Sequence, residues 1–202
     1  MSSPVSTASY LARAQALRKA DDKASLFYAA LELRCGIEAR LQEHATVAAG
    51  VSKREAEHWE IKSLGRTIEK AFGLGDSMLV VLLQMDDGRM GQFLYAPVSA
   101  RLQEIGKRCG DYLHAIRPER VDVPAFWTEL RSVLKEGCGL LELACASEVL
   151  RPTTHTGLHF TLAPEDPRVR IVQDYLAGLP GKLSTVKITP TGPITYYPAN
   201  EA

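Results

Sequence analysis

The longest helical pattern in the chain runs from Ala24 to His44. Apolar residues recur there at three- and four-residue steps, which on an α-helix form one packing face; they are Leu26, Ala30, Leu33, Ile37 and Leu41. Arg34 lies in the same arc, about 40° from Ala30, and Glu38 follows one turn later. These two charges have two interpretations. They pair with each other, which stabilises a helix by about 0.2–0.5 kcal/mol, or they orient groups on a facing helix beside a binding site.

Helical spacing also recurs in four other segments, which cover residues 10–19, 52–72, 99–115 and 125–150. Ser52 and Glu55 have the spacing of a capping box, in which each side chain accepts a hydrogen bond from the backbone amide of the other residue. Gly137 and Gly139 each weaken the middle of the last helix by about 1 kcal/mol relative to alanine. His44 and His58 are assigned to polar helix faces.

A different pattern occupies the middle of the chain. Residues 77–85 are apolar and β-branched, residues 86–89 have good turn chemistry, and residues 91–95 are suited to a returning strand. The pattern predicts a β-hairpin. A buried helix from Met78 to Met85 is the alternative, because hydrophobic periodicity does not distinguish short apolar runs.

The last fifty residues predict short strands at 158–162, 183–188 and 194–197 around a short helix at 169–176. Asp166 and Pro167 suit the start of that helix, with the aspartate as its cap and proline in its first turn. The strands are expected to join the central hairpin in one small sheet.

These patterns predict an α+β protein that is mainly an α-helical bundle. The bundle covers residues 10–151 and is interrupted by the hairpin near residues 78–96. A flexible segment, residues 1–9, precedes it, and a small C-terminal α/β element of strand, helix and strand follows over residues 152–202.

Composition and charge narrow the function classes. The chain has 24 basic and 24 acidic residues, so no global field attracts it to RNA or to an anionic membrane. No apolar run reaches the roughly 18 residues of a membrane helix, and the first residues lack the pattern of a signal peptide. The four cysteines form no C-x-x-C pair. We therefore expect a cytoplasmic protein with reduced thiols and no contact with membranes.

The clearest candidate chemistry lies near the end of the 99–115 helix, where Arg108 and His114 are separated by five residues. Imidazole is suited to general acid–base catalysis near neutral pH. On an ideal helix the two side chains point about 120° apart, so one subunit does not readily bring them together, whereas a twofold dimer does. The alternative is that His114 lies on a solvated polar face with Lys107 and Asp111.

This segment, together with L-x-L-R-x-x-x-E at residues 31–38 and L-G-R-T-I-E at residues 64–69, resembles the HEPN superfamily of helical bundles. The resemblance covers about residues 24–117 and is closest to prokaryotic members whose helix ends in an apolar-His-Ala element. It implies a homodimer acting as a metal-independent ribonuclease of toxin or defence type, without a cofactor. By the same resemblance, Arg108 holds the scissile phosphate, His114 is the general acid or base, and Asp111 is the polar residue between them.

A second hypothesis is a non-catalytic helical module that binds a nucleotide or a partner protein. Its candidate binding residues are Arg34 and Glu38, and the neutral net charge favours it slightly over an RNA-cleaving enzyme. A third hypothesis is half of a two-histidine phosphoesterase, because residues 158–162 resemble one H-x-T-x strand of that class of enzymes. That chemistry needs two such strands, and the sequence offers one.

Overall fold

A computed structural model of the chain describes residues 5–20, 22–56, 60–114, 123–152 and 157–189. Within these ranges the chain is mostly helical, with a small antiparallel sheet, so the α+β prediction is confirmed. The helices are α1 (Thr7–Ala20), α2 (Lys23–Val47), α3 (Lys53–Ala56), α4 (Ile61–Phe72), α5 (Ala100–Leu113), α6 (Pro124–Cys145) and α7 (Arg168–Leu176). The strands are β1 (Met78–Met85), β2 (Met90–Tyr95), β3 (Val149–Arg151), β4 (His159–Phe160) and β5 (Gly181–Ile188).

The long helix α2 is the centre of the bundle. Its first turn is capped by Asp22, whose carboxylate accepts a hydrogen bond from the Ser25 amide at 3.0 Å. The predicted apolar face is fully buried and packs against α1, α4, α5 and α6. Among the described helices, none is long and apolar enough to cross a membrane.

Close packing between these helices depends on glycine. A Cβ at Gly137 would lie 2.6 Å from Leu33 Cδ2 and 2.8 Å from Ile105 Cγ2, and a Cβ at Gly106 would lie 2.6 Å from Ile61 Cδ1. These distances are too short for any side chain without movement of its neighbours. Gly137 therefore has a lower helix propensity than alanine, but its lack of a side chain allows α6 to pack closely against α2 and α5.

The predicted hairpin is confirmed, and the alternative of a buried helix is wrong. β1 pairs antiparallel with β2 on one side and with β5 on the other, so the predicted strand at 183–188 joins the hairpin. The expectation of one sheet is wrong for the strand at 158–162, because β4 pairs with β3 in a separate two-stranded sheet. Alternate residues of β1 point towards a second apolar cluster, in which Ile171 and Val172 of α7 cover the sheet.

The predicted helix at 125–150 ends early. α6 stops at Cys145, and β3 pairs with β4 instead of continuing the helix. Ser147 makes this break, because its hydroxyl donates to the Val149 carbonyl at 2.8 Å and accepts from the Ala96 amide at 3.1 Å. These bonds tie the end of the bundle to the end of β2.

The predicted helix at 52–72 is divided. The capping box forms, with the Ser52 amide donating to Glu55 at 2.9 Å, but α3 ends at Ala56. Glu60 has an extended backbone, with φ −76° and ψ 115°, and α4 begins after it. The assignment of His58 and the predicted strand at 194–197 lie outside the described residues. Helix α1 begins at Thr7, inside the segment predicted to be flexible.

Candidate functional site

Arg108 faces α6 rather than the end of its own helix. Its Nη2 atom donates to Glu129 of α6 in an ion pair and lies 3.4 Å from the Tyr112 hydroxyl. The Tyr112 hydroxyl donates to the same Glu129 carboxylate at 3.1 Å. The charge of Arg108 is therefore compensated within the bundle, on a different side of α5 from His114.

His114 and Asp111 lie elsewhere, in a cleft of about 580 Å³ between α2, the start of α4 and α5. His114 is the C-cap of α5, its backbone amide donates to the Gly110 carbonyl at 3.2 Å, and its side chain is exposed. We call this space the Arg34 cleft. Its lining residues are Arg34, Glu60, Ile61, Lys62, Ala100, Gln103, Glu104, Lys107, Gly110, Asp111 and His114.

Arg34 and Glu38 form the ion pair that the first interpretation predicted. Arg34 Nε donates to Glu38 Oε1 at 2.9 Å, and the two side chains are 25% and 20% exposed. Among the described residues, no acceptor pairs with Nη1 or Nη2 of Arg34. The pair therefore orients the guanidinium and leaves its outer N–H groups available in the cleft.

Gly110 allows Arg34 to occupy this position. A Cβ at residue 110 would lie 2.0 Å from Arg34 Nη1, so the guanidinium fills the space that any side chain there would need. Arg34 and Gly110 are far apart in sequence, and the packing of α2 on α5 brings them together. The structure thus gathers Arg34, Asp111 and His114 in one cleft and leaves Arg108 outside it.

The charge of the cleft is balanced. Three cationic side chains line it, from Arg34, Lys62 and Lys107, and three acidic ones face them, from Glu60, Glu104 and Asp111. A long polyanion needs an uninterrupted basic track, which this lining does not provide. A planar guanidinium with free N–H groups instead suits a single phosphate or carboxylate.

No family model, curated protein or solved structure matches this chain. The HEPN resemblance therefore stands on the motif residues alone and stays a prediction.

Other reactive groups do not add to the site. Burial raises the pKa of the Cys109 thiol to about 12 and those of Cys138 and Cys145 to about 11, so these thiols stay protonated near neutral pH. No group of three or more histidine, cysteine, aspartate or glutamate side chains in the described ranges could hold a metal ion. His159, from the predicted H-x-T-x strand, is exposed on the two-residue strand β4.

The prediction that His44 lies on a polar helix face is wrong. It is only 1% exposed, and its Nδ1 atom lies 2.9 Å from the Leu150 carbonyl oxygen. Because a carbonyl only accepts, Nδ1 carries the proton and Nε2 is an acceptor, and no described residue donates to it. An unsatisfied buried group of this kind costs about 1–3 kcal/mol. The burial of His44 could have been predicted from helical spacing, because His44 lies about 20° from Ile37 on the apolar face of the helix.

The imidazole of His44 stays neutral. Burial, together with the nearby charge of Arg40, lowers the pKa of His44 to about 3. His44 lines a second pocket of about 340 Å³ between α2, α4 and the end of β2, with the Tyr95 ring 5.5 Å and the Phe72 ring 6.3 Å from its own. We call this space the His44 pocket.

Proposed function

We propose that this protein is a helical binding module that holds a small phosphate-bearing ligand, of the nucleotide class, in the Arg34 cleft. The observation that carries the proposal is the guanidinium of Arg34, which Glu38 orients at 2.9 Å while its Nη atoms have no acceptor among the described residues. A phosphate bound there accepts two parallel N–H bonds from the guanidinium.

The rest of the cleft suits a small ligand of mixed charge. Lys62 and Lys107 add positive charge beside Arg34, and Asp111 and Glu104 supply acceptors for hydroxyl or amino groups. A nucleotide carries both an anionic phosphate and several donor groups. The balanced lining therefore supports a mononucleotide better than a nucleic-acid strand.

Metal-independent RNA cleavage is the second candidate, as the HEPN resemblance implies. One observation favours it, which is that His114 and Asp111 line the same cleft as Arg34. In this version His114 transfers the proton and Arg34 holds the scissile phosphate, because Arg108 is paired with Glu129. The predicted homodimer is the other route, in which a second copy supplies Arg108 to the site.

Calorimetric titration with AMP tests the binding proposal. We expect saturable binding to the wild type and at least a tenfold loss in Arg34→Gln, because about 1.4 kcal/mol of a charged hydrogen bond corresponds to tenfold in affinity. The matched control is Arg101→Gln, which removes the same charge from α5 at its ion pair with Glu136, outside the cleft. Equal affinity in all three proteins would contradict the proposal.

RNA cleavage by the wild type, His114→Ala, Arg108→Ala and Arg34→Ala distinguishes the two candidates. A binding module leaves RNA intact in every case. Cleavage that is lost in His114→Ala and Arg34→Ala but kept in Arg108→Ala would favour an enzyme built on the cleft of one subunit. Loss of cleavage in His114→Ala and Arg108→Ala, with the dimers intact, would favour an active site formed across a twofold axis.

A further inference from the structure

The His44 pocket adjoins the Arg34 cleft. Lys62, Ala100 and Gln103 line both spaces, and the Gln103 side chain lies between them, packed on α4 where a Cβ at Gly65 would lie 2.0 Å from its Oε1. Along α2, His44 in the pocket lies ten residues from Arg34 in the cleft, about 15 Å along the helix axis. A ligand that bridges the two has two unlike ends and meets the long Arg34 side chain part of the way along this distance.

The two spaces have different chemistry. Arg34, Lys62 and Lys107 make the cleft polar, whereas apolar and aromatic side chains form most of the pocket wall, among them Leu41, Ile68, Phe72 and Val98. Such a wall fits a flat ring rather than a phosphate.

One polar atom of the pocket is buried without a partner in the described part of the chain. His44 Nε2 has no donor, although the residue is only 1% exposed. The Leu150 carbonyl fixes Nδ1 as the protonated nitrogen, so Nε2 can only accept. A ring that enters the pocket must therefore bring an N–H donor.

We propose that the His44 pocket takes an amino-bearing nucleobase, whose amine donates to His44 Nε2 while Arg34 binds the phosphate of the same nucleotide. This inference rests on the proposed function and names its ligand more closely. Tyr95 contributes its ring face and hydroxyl as a secondary contact, and Gln103 is held beside the sugar by the bond from its Nε2 to the Val98 carbonyl at 2.8 Å.

Ligands that differ at one end test the inference on the unaltered wild-type protein. AMP, purine riboside 5′-monophosphate, which lacks the amine, and ribose 5-phosphate, which lacks the base, are titrated in the same buffer. We expect AMP to bind at least tenfold more tightly than the other two. Equal affinities for the three, all lost in Arg34→Gln, would overturn the base pocket and leave the phosphate site intact.

Two variants and one further ligand locate the contact and separate the two proposals. Tyr95→Phe removes only the hydroxyl and is expected to weaken AMP binding several-fold. His44→Phe is expected to abolish the preference for AMP over purine riboside 5′-monophosphate. A preference that survives in a folded His44→Phe would overturn the inference. If adenosine binds and Tyr95→Phe weakens it, while Arg34→Gln leaves the affinity for AMP unchanged, the phosphate site would be refuted and the base pocket kept. If none of these ligands binds, both proposals would be refuted.

Discussion

At the scale of single residues, the cleft depends on a reciprocal fit between Arg34 and Gly110. The guanidinium lies where a side chain at 110 would be, and Glu38 holds it by Nε. Because Arg34 is long and flexible, a methyl group at 110 displaces it without disturbing the helix backbone.

Gly110→Ala is therefore expected to separate binding from stability. We predict at least a tenfold loss of AMP affinity, since the guanidinium leaves its position, with a change of less than about 1 kcal/mol in the free energy of unfolding because alanine favours the helix. Calorimetric titration and urea unfolding measure the two quantities. Gly139→Ala is the control, because nothing lies within 4 Å of a Cβ there. Unchanged affinity in Gly110→Ala would show that Arg34 does not hold the ligand.

His44 gives the protein a specific acid sensitivity. Its pKa is about 3 in the fold, against about 6.5 unfolded, because burial and Arg40 disfavour the charged imidazole. Below pH 6.5 the unfolded chain binds a proton that the folded chain does not. Stability is therefore fully present above pH 6.5 and falls by about 1.4 kcal/mol per pH unit as pH drops from about 6 towards 3.

His44→Gln removes this titration and keeps a donor for the Leu150 carbonyl. We expect its free energy of unfolding to fall less steeply with decreasing pH than that of the wild type, with the difference growing by about 1.4 kcal/mol per unit between pH 6 and pH 4. Urea unfolding at pH 7, 6, 5 and 4 measures both slopes, and the carboxylates common to the two proteins cancel. Parallel curves would contradict the assignment of a neutral, buried His44.

At the scale of elements, the bundle depends on how closely α6 approaches α2 and α5. Gly137 lies where Leu33 and Ile105 leave no space for a methyl group, whereas Gly139 on the same helix meets no atom within 4 Å. The two glycines have the same intrinsic cost in a helix and differ only in packing.

Gly137→Ala and Gly139→Ala should therefore have opposite effects on stability. We predict that the first lowers the free energy of unfolding by about 1–3 kcal/mol through overpacking, and that the second raises it by about 0.5–1 kcal/mol through helix propensity. Thermal and urea unfolding compare them. Two stabilised variants would mean that the helices are not in close contact at Gly137.

The elements were largely predictable because their signals are local. The apolar period of α2, the Ser52–Glu55 capping box and the turn between β1 and β2 each lie within a few residues of one another. The end of α6 was not predictable, because the apolar residues near Leu150 suit a helix or a strand and the deciding bond joins Ser147 to Ala96. The cleft was only half predictable, since Arg34 reaches Gly110 through tertiary packing.

At the scale of the whole molecule, the balance of charge agrees with a small ligand. The chain carries 24 basic and 24 acidic residues, and the cleft repeats this balance with three of each sign. Neither the global field nor the local lining draws in a polyanion. The proposed function therefore depends on one oriented guanidinium and the pocket beside it.

Arg34 is proposed to bind the phosphate of the ligand, and a crystal structure of the protein with AMP would show this contact. We expect phosphate oxygens at about 2.7–2.9 Å from Nη1 and Nη2 of Arg34, with the ion pair to Glu38 and the position of Gly110 unchanged. AMP bound away from the cleft at saturating concentration, or Nη atoms of Arg34 bonded to a protein acceptor in that crystal, would contradict it.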